Sequence, residues 1–132
     1  MVSASDFTLS LPARSESVGV VRHVLGGVGD AWPVDAELQD DILIAVGEAC
    51  ANVVLHAYTD APAGVLDVRG GTEDGHVVVV VRDTGPGIVP RPQSSGLGMG
   101  LPLMAALTER METGHADDGA HEVRLTFPKV RK

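Results

Sequence analysis

The segment HVVVVVRD, residues 76–83, places five consecutive valines between a histidine and a charged pair. Its apolar run is typical of a β-strand and far shorter than the roughly 18 apolar residues that a membrane-spanning helix requires. The segment VLDVRG, residues 65–70, precedes it and is separated from it by GTEDG, whose glycines favour a turn. The two segments therefore predict a β-hairpin.

Periodic spacing and breaker residues predict the other elements of the chain. Alternating apolar residues that end at a proline predict an edge strand, whereas apolar residues every three or four positions predict an amphipathic helix. Asp35 is the predicted N-cap of a longer helix that reaches about Tyr58, and Pro102 suits the first turn of a later helix that reaches about Arg110. The remaining predictions are an edge strand at 6–13, a helix at 15–29, a loop at 84–100 and a hairpin of 111–115 with 121–128.

The predicted order is β-α-α-β-β-loop-α-β-β. Its helices are too few to cover both faces of a sheet made of all its strands. We therefore predict an α+β fold, a two-layer sandwich of a mixed, mostly antiparallel sheet with helices packed on one face. A chain of 132 residues with 44% hydrophobic content fits one domain, 1–132.

Charge and cysteine content narrow the class of protein. The formal net charge of −8 argues against a direct nucleic-acid partner, which requires clustered Lys and Arg. The single cysteine, Cys50, excludes a disulfide within the chain. The N-terminal residues have no pattern of a signal peptide, so we expect a soluble cytoplasmic protein without membrane association.

Three polar residues stand four apart on the second helix: Glu48, Asn52 and His56. A helical projection puts them along the edge of an apolar side that faces the sheet. That apolar side consists of Leu38, Ile42, Ala45, Ala49 and Val53. A polar edge without function is one interpretation; zinc is disfavoured because Asn is a rare zinc ligand, whereas Glu and Asn oxygens suit Mg²⁺.

Two glycine-rich segments follow. Asp83, in DTGPGI, ends the valine strand and fits either a simple turn or acceptance of a hydrogen bond from a purine amine. The segment GLGMGLP, 96–102, fits either a flexible loop or an anion site built from backbone N–H groups at a helix N-terminus. Neither segment matches the P-loop or Rossmann fingerprint.

Together, E-x-x-x-N-x-x-x-H on a helix, D-x-G-x-G after a strand and G-x-G-x-G before a helix resemble the GHKL ATPase superfamily, over residues of about 36–128. That superfamily has the Bergerat-type ATP-binding fold. The stretch AVGEACANVVLHAY, 45–58, is most similar to the anti-sigma-factor serine/threonine-protein kinases.

The resemblance implies ATP and Mg²⁺ as cofactors and assigns a role to each motif. Asn52 would coordinate Mg²⁺, Glu48 would be the catalytic base, and Asp83 would accept the adenine amino group. Gly85 and Gly87 would let the backbone pass close to the base. Closure over the phosphates would involve Gly96, Leu97, Gly98, Met99, Gly100 and Leu101.

The resemblance also implies partners: a STAS-type anti-anti-sigma protein as substrate, a sigma factor as the bound target, and a homodimer as a common assembly. Two departures favour an alternative, a non-catalytic nucleotide-gated module that binds a regulator. The lid expected at 88–95 is short and its only cation is Arg91, and Ala120–His121 stands where relatives usually have Gly-Thr. A histidine-kinase catalytic domain and a mechanochemical ATPase fit less well.

Overall fold

The computed structural model describes residues 5–32, 34–57, 64–83, 100–115 and 120–128. The strands are β1 (Ser5–Pro12), β2 (Val65–Glu73), β3 (His76–Asp83), β4 (Arg110–His115) and β5 (His121–Thr126). The helices are α1 (Ser15–Gly29), α2 (Ala36–Asn52) and α3 (Gly100–Leu107), and a π-helical turn at Val53–Ala57 continues α2.

The five strands form one sheet in the order β1-β2-β3-β5-β4, with every pairing antiparallel. The predicted edge strand β1 lies at one edge, and the predicted hairpins pair as β2–β3 and β4–β5. The β2–β3 turn has positive φ at Asp74 (53°) and Gly75 (83°), the combination that matches the twist of a two-residue hairpin. The parallel pairing allowed by the predicted mixed sheet is not found among the described strands.

The core lies between the helices and one face of this sheet. The apolar side predicted for the second helix is buried at all five positions, and it shares the core with alternate β3 residues Val77, Val79 and Val81. Arg82 follows Val81 on β3, and its guanidinium lies near carboxylates of the two neighbouring strands. Its Nη1 is 3.6 Å from Asp67 Oδ2, and its Nε is 3.4 Å from Glu122 Oε2. The α+β sandwich is therefore confirmed.

The prediction that the third helix reaches Arg110 is wrong, because α3 ends at Leu107 and Arg110 begins β4. The Thr108 hydroxyl donates a hydrogen bond to the Met104 carbonyl (2.8 Å), which satisfies a carbonyl of the last helical turn. The backbone N–H of Glu109 already donates to Thr126 in β5 (2.8 Å). Pairing with the sheet thus replaces the last predicted helical turn.

The N-terminus of α2 is capped as predicted, and we expect Asp35→Ala to lower the free energy of unfolding by about 1 kcal/mol. The Asp35 carboxylate accepts a hydrogen bond from the backbone N–H of Leu38 (2.8 Å), which alanine cannot replace. Urea unfolding measures the change. Asp40→Ala removes the same charge from an exposed position of α2 and should leave stability nearly unchanged; equal losses in both variants would contradict the capping role.

Cys50 lies in the core, and burial raises the pKa of its thiol from 9.0 to about 12. Between these values the unfolded chain loses the thiol proton while the folded chain keeps it, so folding stability should fall as pH rises. The expected slope is at most about 1.4 kcal/mol per pH unit. Urea unfolding from pH 8 to 10.5 should show a steeper loss for the wild type than for Cys50→Ala; parallel curves would contradict the prediction.

Candidate functional site

A cavity of about 140 Å³ lies between the second half of α2, α3 and one end of the sheet. It joins two of the polar residues singled out in the sequence, Asn52 and Asp83. Its other described lining residues are Ala49, Val53, Val81, Met104, Thr113, Gly114, His115, His121, Glu122 and Val123. Most of the surface that lines the cavity is apolar, and several polar groups converge on it, which is the usual composition of a small-molecule site.

Asn52 is the last residue of α2 and is only 4% exposed. Its Oδ1 is shielded from solvent and has no hydrogen-bond partner in the described part of the chain. A buried amide oxygen in that state costs about 1–3 kcal/mol, which a bound donor or cation would recover. The π-helical turn that begins at the next residue is a feature often found at functional sites.

Asp83 closes β3 and is 3% exposed, which matches the sheltered position expected from the sequence. It lies directly opposite His121 in the β3–β5 pairing, and His121 lies opposite His115 in the β5–β4 pairing. His121 Nδ1 is 3.9 Å from Asp83 Oδ1, beyond hydrogen-bond distance. The two imidazole rings are 4.2 Å apart between centroids. One row of side chains thus crosses three strands beside the cavity.

Sequence reasoning noted His121 only as a departure from the resembling family and did not single out His115. The signal that could have identified His115 was the predicted final hairpin. Once its two strands are paired, the last residue of one strand and the first of the other stand opposite each other, and both are histidines. The row needed strand register, which the sequence pattern alone did not provide.

Glu48 is half-buried one turn before Asn52, but it is not among the described residues that line the cavity. The backbone of His56 lies in the π-helical turn, and its side chain is outside the described part of the structure. The structure therefore brings Asn52 and Asp83 together and does not bring Glu48 to the same described surface.

Most of the predicted glycine-rich residues lie outside the described residues: Gly85, Gly87, Arg91, Gly96, Leu97, Gly98 and Met99. Gly100 and Leu101 are the first two residues of α3, and Pro102 follows in its first turn as predicted. Met104, one turn from the start of α3, is fully buried and lines the cavity. The helix that the second glycine-rich segment was expected to open thus packs against the same cavity as Asn52 and Asp83.

The chain belongs to the histidine kinase-like ATPase domain family, whose profile matches residues 11–127. Its curated relatives include serine-protein kinases named RsbW. The protein of Bacillus velezensis is 40% identical over 77 residues, which cover 58% of this chain and 48% of that protein. The protein of Bacillus pumilus is 31% identical over 121 residues, which cover 79% of this chain and 75% of that protein. The chain spans about half the length of the first of these relatives.

A solved structure supports the fold assignment. The crystal structure of the RsbU and RsbW domains of Rv1364c from Mycobacterium tuberculosis superposes with a TM-score of 0.72 at 24% identity. The match covers 96% of this chain and 33% of that chain. Within the described ranges, no helix has both the length and the apolar character needed to span a bilayer.

Proposed function

We propose that this chain is an ATP-dependent serine/threonine-protein kinase that phosphorylates a STAS-type anti-anti-sigma protein and also acts as an anti-sigma factor. The observation that carries the proposal is the cavity lined by both Asn52, whose Oδ1 has no partner within the described ranges, and the buried Asp83. Family membership and the RsbW relatives support it.

ATP would lie with its adenine towards the sheet end and its phosphates towards the start of α3. Asp83 would accept a hydrogen bond from the adenine amino group, and Gly85 and Gly87 would allow the chain to pass close to the base. Backbone N–H groups from Gly96 to Leu101 would bind the phosphates, since a helix N-terminus with exposed N–H groups favours anions.

Asn52 fits Mg²⁺, because its buried amide oxygen has no partner in the described part of the chain and oxygen is the ligand that this ion prefers. Bound Mg²⁺ would supply neutralisation of charge on the phosphates. Glu48, one turn earlier, would accept the proton of the attacking Ser or Thr hydroxyl. The remaining contribution of the chain would be to position the two substrates and exclude water.

A second candidate is a non-catalytic, nucleotide-gated module that binds a regulator. Two observations favour it: Glu48 is not on the described lining of the cavity, and His121 brings an imidazole beside Asp83. Such a module would need Asn52 and Asp83 for nucleotide binding, and Glu48 would have no role in it.

The deciding experiment is capture of partners from native lysate on the purified protein with Mg-ATP or Mg-ADP, followed by phosphosite mapping. Recovery of a STAS-type protein that gains a phosphorylated Ser or Thr only with ATP would support the kinase, and a retained sigma factor would support the switch. Nucleotide-dependent capture without a new phosphosite would favour the second candidate. Capture on the immobilised Asn52→Ala variant is the control, because partners held through the nucleotide site should be lost from it.

A further inference from the structure

We propose that the base of the nucleotide stacks on a pair of imidazole rings, His115 and His121, and that His121 is the ring it contacts. This inference rests on the proposed ATP site and names what binds the flat face of the base there. The resemblance gives neither histidine a role. The observation behind it is that both residues line the cavity and that their rings contact each other.

Strand register brings the two rings together. His115, at the end of β4, pairs with His121, at the start of β5, and the ring centroids are 4.2 Å apart. Two residues away along the same strands, Thr113 pairs with Val123, and both of these also line the cavity. Because side chains two residues apart on a strand share a face, the histidine pair lies on the face of the sheet that borders the cavity.

Apart from Asn52, the described residues on the helix side of the cavity are apolar: Ala49, Val53 and Met104. Since the cavity lies between these helices and the sheet, a ligand there has apolar side chains on one side and imidazole rings on the other. Such surfaces offer few hydrogen bonds, and imidazole rings are among the side chains on which nucleobases stack. The two sides therefore suit the two faces of a purine.

The lining residues also decide the direction in which the base extends. In the sheet, β3 lies between β2 and β5. The described sheet residues that line the cavity come from β3, β5 and β4, and none of them comes from β2. A base that lies beside Asp83 therefore extends over β5, where His121 stands directly opposite Asp83. It covers the part of the His121 side chain that is still exposed, 24%.

The two histidines have different roles in this arrangement. Their ring planes are inclined at 55°, so one base cannot lie flat against both. His121 is one strand nearer to Asp83 and contacts the base. His115, one strand further away, packs against the His121 ring and restricts its rotation, which makes His115 a positioning residue.

The probe is the ratio of two dissociation constants, that of ribose 5-triphosphate, which has no base, to that of ATP. This ratio measures the contribution of the base to affinity. Removing an aromatic side chain on which a base stacks weakens binding by about five- to one-hundredfold. We expect His121→Ala to lower the ratio by that factor through weaker ATP binding, with little change for ribose 5-triphosphate. His115→Ala should lower it by less.

Two further variants distinguish stacking from hydrogen bonding. His121→Phe keeps a flat ring without any ring nitrogen, and it should retain most of the wild-type ratio. His121→Gln keeps a polar side chain without a ring, and its ratio should fall as far as that of His121→Ala.

His76→Ala is the matched control. His76 has the same 24% side-chain exposure as His121 but lies at the start of β3, where its Nε2 is 2.9 Å from Glu109 Oε2. This variant should keep the wild-type ratio, so a general effect of removing a histidine from the sheet would appear equally in both alanine variants. Thermal unfolding of each variant verifies that folded protein is being compared.

The outcomes separate the inference from the proposed function. A wild type that binds neither compound overturns the ATP site itself. A wild type that binds both compounds equally, or a His121→Ala variant that keeps the full ratio, overturns stacking on His121 and leaves a triphosphate site in place. A ratio that falls in His121→Phe as far as in His121→Ala, or that is retained in His121→Gln, contradicts stacking. A fall in the Ala and Gln variants with retention in the Phe variant supports it.

Discussion

Asn52→Ala is expected to abolish phosphoryl transfer while the protein stays folded. The Asn52 Oδ1 is buried in the cavity and has no hydrogen-bond partner among the residues that the structure describes, and alanine offers no ligand in its place. Metal ions contribute several kcal/mol to stabilisation of a transition state, so the rate should fall by at least about a thousandfold. The free energy of unfolding should fall by no more than about 1 kcal/mol, because that oxygen has no hydrogen-bond partner among the described residues and its burial is itself unfavourable.

Two measurements check this expectation. Transfer of radiolabelled phosphate to the captured STAS-type partner gives the rate, and urea unfolding gives the stability. Asn52→Asp keeps an oxygen ligand at the same position and should retain more Mg²⁺-dependent nucleotide binding than Asn52→Ala. Undiminished transfer by folded Asn52→Ala would refute the role given to this residue.

Local signals predicted much of the fold. The bounds of α1 match the periodic stretch 15–29, and the Asp35 cap is where the sequence places it, because both depend on residues within one or two turns. The predicted end of α3 was wrong because the backbone of Glu109 pairs with β5, and β5 lies later in the sequence than any residue that the local pattern takes into account. The π-helical turn after Asn52 was not predicted either, because the apolar spacing of the sequence there is that of an ordinary α-helix.

The site shows the same division. The helix stripe suggested Glu48, Asn52 and His56, and the valine strand suggested Asp83. Asn52 and Asp83 meet at one cavity because α2 packs on β3. The row of Asp83, His121 and His115 needed the exact strand register, because a shift of one residue would turn these side chains to the other face. The position of Glu48 relative to the cavity likewise depends on packing rather than on its spacing from Asn52.

Glu48→Gln is expected to slow phosphoryl transfer by about 10²- to 10⁴-fold while ATP affinity stays close to that of the wild type. Glutamine keeps the size and polarity of the half-buried side chain but cannot take the proton of the attacking hydroxyl. A loss confined to the rate is the signature of a group that acts in the transition state and not in binding. Single-turnover transfer and equilibrium ATP binding, measured separately, check the two halves of this expectation.

Glu37→Gln, in the exposed first turn of the same helix, removes the same charge and should leave both quantities unchanged. Since Glu48 is not on the described lining of the cavity, its role as a base requires that the hydroxyl of the partner reach it from outside that lining. Equal transfer rates for the wild type and Glu48→Gln would remove the base from the mechanism. If transfer were also undetectable in the wild type while ATP still bound, the nucleotide-gated binding module would be the better account of this cavity.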